Sequence, residues 1–121
     1  MRSILRFSIG AAVAAMVLAS GVAQARTSFD GAWSVRIVTT RGACDSGGTF
    51  GLQIRNGVVS GYGGFSVSGR VSSNGATSVT VSSGDQSASG SGRLFGNSGR
   101  GSWRGNGSRG VCSGSWFANR Q

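Results

Sequence analysis

The sequence predicts an all-β fold: an eight-stranded antiparallel up-and-down meander closed into a small barrel, with one disulfide. Three observations point there. Turn-forming pairs and a triplet (Asn56-Gly57, Gly63-Gly64, Asn74-Gly75, Gly84-Asp85, Gly96-Asn97, Gly105-Asn106-Gly107) recur about every ten residues. Between them, apolar or small residues alternate with Ser, Thr, Gln and Arg at a period of two. Cys44 lies just past the first alternating stretch and Cys112 near the start of the last, where curling the ribbon on itself brings the two together. Gly and Ser dominate from Gly42 onward, a composition that would fit a flexible linker. Their regular division between turns and one strand face argues for a folded ribbon instead.

Taken in order, strand one covers Phe29 to Val38 and points Phe29, Gly31, Trp33, Val35 and Ile37 to one side. Strand two, Thr49 to Arg55, points Phe50, Leu52 and Ile54 the same way, and strand three is Val58 to Tyr62. Strand four, Phe65 to Ser72, contributes Phe65, Val67, Gly69 and Val71, and strand five, Thr77 to Ser82, contributes Val79 and Val81. Strand six, Gln86 to Leu94, presents Ala88, Gly90, Gly92 and Leu94, and strand seven, Ser98 to Trp103, presents Gly99, Gly101 and Trp103. Strand eight, Val111 to Ala118, presents Cys112, Gly114, Trp116 and Ala118. The opposite face is almost wholly polar, as in an antiparallel sheet with one wet side. Closure would remove exposed sheet edges; an open or split meander forming a sandwich is the competing arrangement. A motif Ser-Gly-Arg-apolar-x-x-Asn occurs at Ser68–Asn74 and again at Ser91–Asn97, which hints at a duplicated hairpin.

Residues 1–25 read as a secretory signal peptide, with Arg2 and Arg6 as the positive start, an apolar run from Ile9 to Leu18, and Ala23-Gln24-Ala25 as the cleavage site. The apolar run is shorter than the roughly 20 residues a spanning helix needs, so no transmembrane span is expected after processing. Residues 26–121 are then one domain in the periplasm or outside the cell. An even pair of cysteines in an exported chain reads as a disulfide, and a chain this small has a modest core that a covalent tie would reinforce.

The chain carries 12 basic residues, all arginine, against three aspartates, with no histidine and a formal charge of +9. Acid–base catalysis needs a group that titrates near working pH, and Asp30, Asp45 and Asp85 are scattered among loops and turns. Serine is abundant but has no base to activate it. Two cysteines without histidine cannot build a tetrahedral zinc site, and only Tyr62 offers a haem ligand once the cysteines are bonded. The expectation is a non-enzymatic protein without cofactor or metal. Asn106-Gly107-Ser108 matches a glycosylation sequon, but the turn assignment accounts for it.

Two binding readings stand beside two plainer ones. Arg36, Arg55, Arg70, Arg93 and Arg100 fall on the outward face, with Arg104 and Arg109 flanking the last turn. Arginine grips phosphate and carboxylate with two parallel hydrogen bonds. A face of them suits anionic envelope polymers or a lipid surface; the plainer reading is charge for solubility. Nucleic acid is the least expected partner, because no aromatic residue is placed on the basic face. Inside, Trp33, Trp103 and Trp116 share the inward face with a run of glycines. Either the rings fill the core against the glycine backbone, or they line a pocket for a small apolar ligand. A structural or adhesive envelope protein is a third class.

The runs FDGAWSVRIVTTRGACD, GGFSVSGRV, SGRLFGNSGRGSW and CSGSWFANR resemble a group of short exported Gly/Ser-rich β-proteins of rhizobial-type bacteria. The resemblance covers nearly all of the mature chain and carries no functional residues with it. Some members bear a haem-utilisation or adhesion label, and the haem ligands such a label needs are lacking here. More distantly, Gly31-Ala32-Trp33 is similar to the Gly-x-Trp signature of calycin barrels such as lipocalins, and Arg120 resembles their closing arginine that stacks on that tryptophan. Shared fold does not confer shared function.

Overall fold

A computed structural model describes residues 29–45, 48–61 and 63–121. Residues 1–25, expected from the sequence to be a signal peptide, and Tyr62 lie outside the described residues. Eight strands follow one another: β1 (Gly31–Arg41), β2 (Thr49–Arg55), β3 (Val58–Gly61), β4 (Ser66–Val71), β5 (Ala76–Ser83), β6 (Gln86–Phe95), β7 (Ser98–Gly107) and β8 (Gly110–Arg120). Each pairs antiparallel with its neighbours, and β8 pairs with β1, so the sheet closes as a barrel rather than splitting into a sandwich. The β1–β8 seam is long, running from Trp33↔Arg120 to Arg41↔Ser113, with one irregularity between Thr39 and Arg41.

Turn chemistry explains the meander. At Asn56-Gly57 the two central residues have φ of 53° and 77°, the paired positive values of the turn that matches strand twist. The Asp30 carboxylate accepts hydrogen bonds from the backbone N–H of Asn56 (2.9 Å) and Gly57 (3.5 Å), tying the chain's entry to that turn. The two copies of Ser-Gly-Arg-apolar-x-x-Asn occupy equivalent places: each puts its apolar residue, Val71 or Leu94, in the buried core at the end of a strand and its Asn in the following turn.

The disulfide joins Cys44, in the loop after β1, to Cys112 on β8, with Cα atoms 6.1 Å apart. It marks one end of the barrel. At the other end Phe29, Trp33, Ile54, Val59, Val71, Leu94 and Ala118 are buried together and close it. Toward the disulfide end the inward side chains, Ile37, Phe50, Val67, Val79 and Trp103, are only partly buried.

Three expectations are corrected. β7 does not stop at Trp103 before a turn at Gly105-Asn106-Gly107; it runs on to Gly107, and the turn is at Ser108-Arg109. The β6 strand sets this register: Gly105 stands opposite Cys112 and Asn106 pairs with Val111, and a Cβ at Gly105 would lie 2.5 Å from the Ser87 carbonyl oxygen and 2.7 Å from the Ala88 Cβ. The sequon therefore starts in a strand, and a turn does not account for Asn106. Phe29 precedes β1 instead of belonging to it, yet its side chain still plugs the closed end. Phe65 also precedes its strand and is more than half exposed, its ring 6.4 Å from that of Phe50. Among the described residues the β3–β4 ladder pairs Val58↔Arg70 and Val59↔Gly69, well short of Phe65.

Close packing makes one glycine critical. A Cβ at Gly101 would lie 2.7 Å from two ring carbons of Trp116 and closer still to the Ser91 carbonyl oxygen. Gly101→Val is expected to lower stability by about 3 kcal/mol, as overpacking of a filled wall does. Gly48→Ala, where a Cβ meets open space, should be close to neutral. Urea unfolding followed by tryptophan fluorescence compares the two.

Candidate functional site

The inward face differs around the barrel. β1 to β5 carry branched aliphatic and aromatic side chains; β6 to β8 carry glycine with two large rings. The indole of Trp116, on β8, passes beneath β7 at Gly101 and donates from Nε1 to the Ser91 carbonyl of β6 at 3.3 Å. The indole of Trp103, on β7, reaches past β8 to donate to the Val38 carbonyl of β1 at 3.1 Å. Gly114 makes that path open, because a Cβ there would run into the Val38 carbonyl. Each ring thus links strands that are not neighbours, and the glycine of the strand between them is what lets it cross.

Trp33 lies at the closed end, 2% exposed, with Nε1 donating to the Phe29 carbonyl at 2.9 Å. The Arg120 guanidinium stacks over its ring with the central carbon 5.0 Å from the centroid. Arg120 also donates to the carbonyls of Asp30 (2.7 Å) and Gly96 (3.1 Å) and to Asn97 Oδ1 (2.9 Å). One side chain therefore ties together the chain entry, the β6–β7 turn and the end of β8.

Above this plug the barrel holds a cavity of about 190 Å³. All three tryptophans line it, with Val35, Leu52 and Val79 among the aliphatic walls. The rings therefore both pack against glycine and leave space, so the two readings of the inward face are not exclusive. All three indole N–H groups are spent on backbone carbonyls, and among the described residues no titratable side chain lies in the wall, whose hydroxyl residues are Thr77 and Ser89. Such a cavity offers mainly apolar contact and shape. An apolar cavity of comparable size stays dry and takes up small hydrocarbons.

The six outward arginines do not form one site. Arg36, Arg100 and Arg93 converge in a single cross-strand row through Phe117: Arg36↔Phe117, Phe117↔Arg100, Arg100↔Arg93. Arg55 and Arg70 flank exposed Val58 in a separate row on β2, β3 and β4. Arg104 lies nearer the disulfide end, opposite Ser113 and Ser89. Arg109 sits within the last turn and does not flank it.

The expectation that the basic face lacks aromatic residues is corrected. Phe117 is 37% exposed and Phe95 47% exposed, and both stand beside the Arg93–Arg100 pair. Parity could have found them. Phe117 alternates with inward Trp116 and Ala118, and Phe95 follows inward Leu94, so each must point out. The inward residue sets leave both rings out, and nothing in them assigns either ring to the outer face. No protein-family model, curated protein or solved structure matches this chain.

Proposed function

We propose that this protein binds a small apolar ligand inside its barrel. The carrying observation is the cavity lined by Trp33, Trp103 and Trp116 and plugged at one end by Trp33 under Arg120. Small barrels of eight strands have an interior just wide enough either to be filled by side chains or to hold one small ligand; here the aliphatic walls and the three indoles leave a cavity of about 190 Å³ between them. Among its described residues the wall has no titratable acid or base to activate the Thr77 or Ser89 hydroxyl, which favours capture and release over chemistry. The ligand class follows from the wall: a hydrocarbon chain or an unsubstituted ring, because a polar group placed there would lose its water against a mainly apolar wall.

A neutral fluorophore, N-phenyl-1-naphthylamine, tests the reading. Its emission should rise saturably with the protein and be excited by energy transfer from the tryptophans. Val79→Trp puts a large ring into the cavity from the wall and should weaken the binding at least tenfold while leaving the far-ultraviolet spectrum of the barrel in place. The absence of saturable binding, or binding untouched by filling the cavity, would overturn the proposal.

A further inference from the structure

The outer face carries an arrangement that folding alone does not explain. Arg93 and Arg100 are direct cross-strand partners, and like charges in that position destabilise a sheet. Arg36 extends the row by two more strands through Phe117, its guanidinium carbon 5.0 Å from the ring centroid. With adjacent strands about 4.8 Å apart, the three guanidiniums leave from a line of roughly 14 Å. None of the three aspartates lies on this face: Asp30 caps the β2–β3 turn, Asp45 follows Cys44 in the β1–β2 loop, and Asp85 is in the β5–β6 turn. Phe95 and Phe117 stand beside the row and, with Arg93 and Arg100, wall a shallow depression whose floor is the backbone of Gly92 and Gly101.

We propose that this patch is a docking surface for an anionic phospholipid bilayer. Phosphate groups would bridge Arg100 and Arg93, whose Nη1 donates to the Asn74 carbonyl at 3.2 Å while its other N–H groups stay available, and would relieve their repulsion through charge-assisted hydrogen bonds. The phenyl rings of Phe95 and Phe117 would enter the boundary between headgroups and acyl chains, where exposed aromatic and apolar residues beside a basic face anchor peripheral proteins. Charge complementarity selects an anionic partner, and the two exposed rings select one with an apolar layer beneath its charge. A single-stranded nucleic acid would need ring faces free for stacking, and one face of Phe117 already carries Arg36. The proposal does not depend on the interior cavity.

Partition of the full chain onto phosphatidylglycerol vesicles, with phosphatidylcholine vesicles as reference, tests it. A basic residue near an anionic surface contributes about fivefold to partition, so Arg93→Gln with Arg100→Gln should reduce binding about 30-fold. Arg55→Gln with Arg70→Gln removes equal charge from the other row and should cost less than threefold. Phe95→Ser with Phe117→Ser should weaken binding even in salt high enough to screen the arginines. Val79→Trp, which fills the cavity, should leave partition unchanged, so failure here and failure of the interior reading are separable. Equal losses from the two arginine pairs, or no loss from either, would overturn the proposal. So would a loss confined to binding of a single-stranded oligonucleotide while vesicle binding persists.

Discussion

Replacing Cys44 and Cys112 together by serine is expected to lower the free energy of unfolding by about 4 kcal/mol. The bond spans a sequence separation of 68, and cross-linking so long a loop removes much of the freedom of the unfolded chain. Cys112 is also only 1% exposed, so a serine hydroxyl there gives up water without an assigned partner. The folded form should nonetheless keep its closure, because β1 and β8 are joined by a long backbone ladder from Trp33 to Arg41 independent of the sulfurs. The expected signature is thus a large fall in the unfolding midpoint with an unchanged far-ultraviolet spectrum. Wild-type protein kept reduced should match the double variant. An unmoved midpoint in urea would mean that the bond contributes nothing to stability.

Trp33→Ala should be comparably severe, at about 4 kcal/mol, within the range for deleting a buried tryptophan. The ring is the base of the closed end, and its loss leaves a void next to the existing cavity, removes the hydrogen bond to the Phe29 carbonyl and takes away the face that Arg120 covers. Arg120→Lys should share only part of the loss. Lysine keeps the charge but cannot reproduce the planar fork that reaches Asp30, Gly96 and Asn97 together. Because the ring and the guanidinium touch, the double variant should fall short of the sum of the single losses. A thermodynamic cycle in urea measures that coupling. Strict additivity would show that the stacked arrangement adds nothing beyond burial of the indole.

Much of the fold was legible because antiparallel strands are read locally. The bounds of β2, Thr49–Arg55, coincide with those drawn from alternation and flanking turns. Here a clean period of two ends at an Asn-Gly pair that only a tight turn accommodates. Gly105-Asn106-Gly107 has turn composition and so reads as the end of β7; composition does not show that Gly105 packs without a Cβ against Ser87 and Ala88 of β6. Phe65 was drawn inward by its hydrophobicity, although the short β3–β4 ladder leaves it outside the strand. Phe95 and Phe117 belong to the outer face by parity alone, since each follows an inward residue, Leu94 or Trp116.

Alternation, turn chemistry and the placing of two cysteines are properties of neighbouring residues, so strand order, the inward residue set and the pairing of first strand with last could be written down from the chain. Volume and convergence are not local. Whether three indoles fill the barrel or leave a cavity of about 190 Å³ depends on rings crossing beneath the glycines of strands remote in sequence. Which arginines meet depends on cross-strand register: Arg36, separated by dozens of residues from Arg93 and Arg100, joins them only once the ribbon closes and Phe117 falls between.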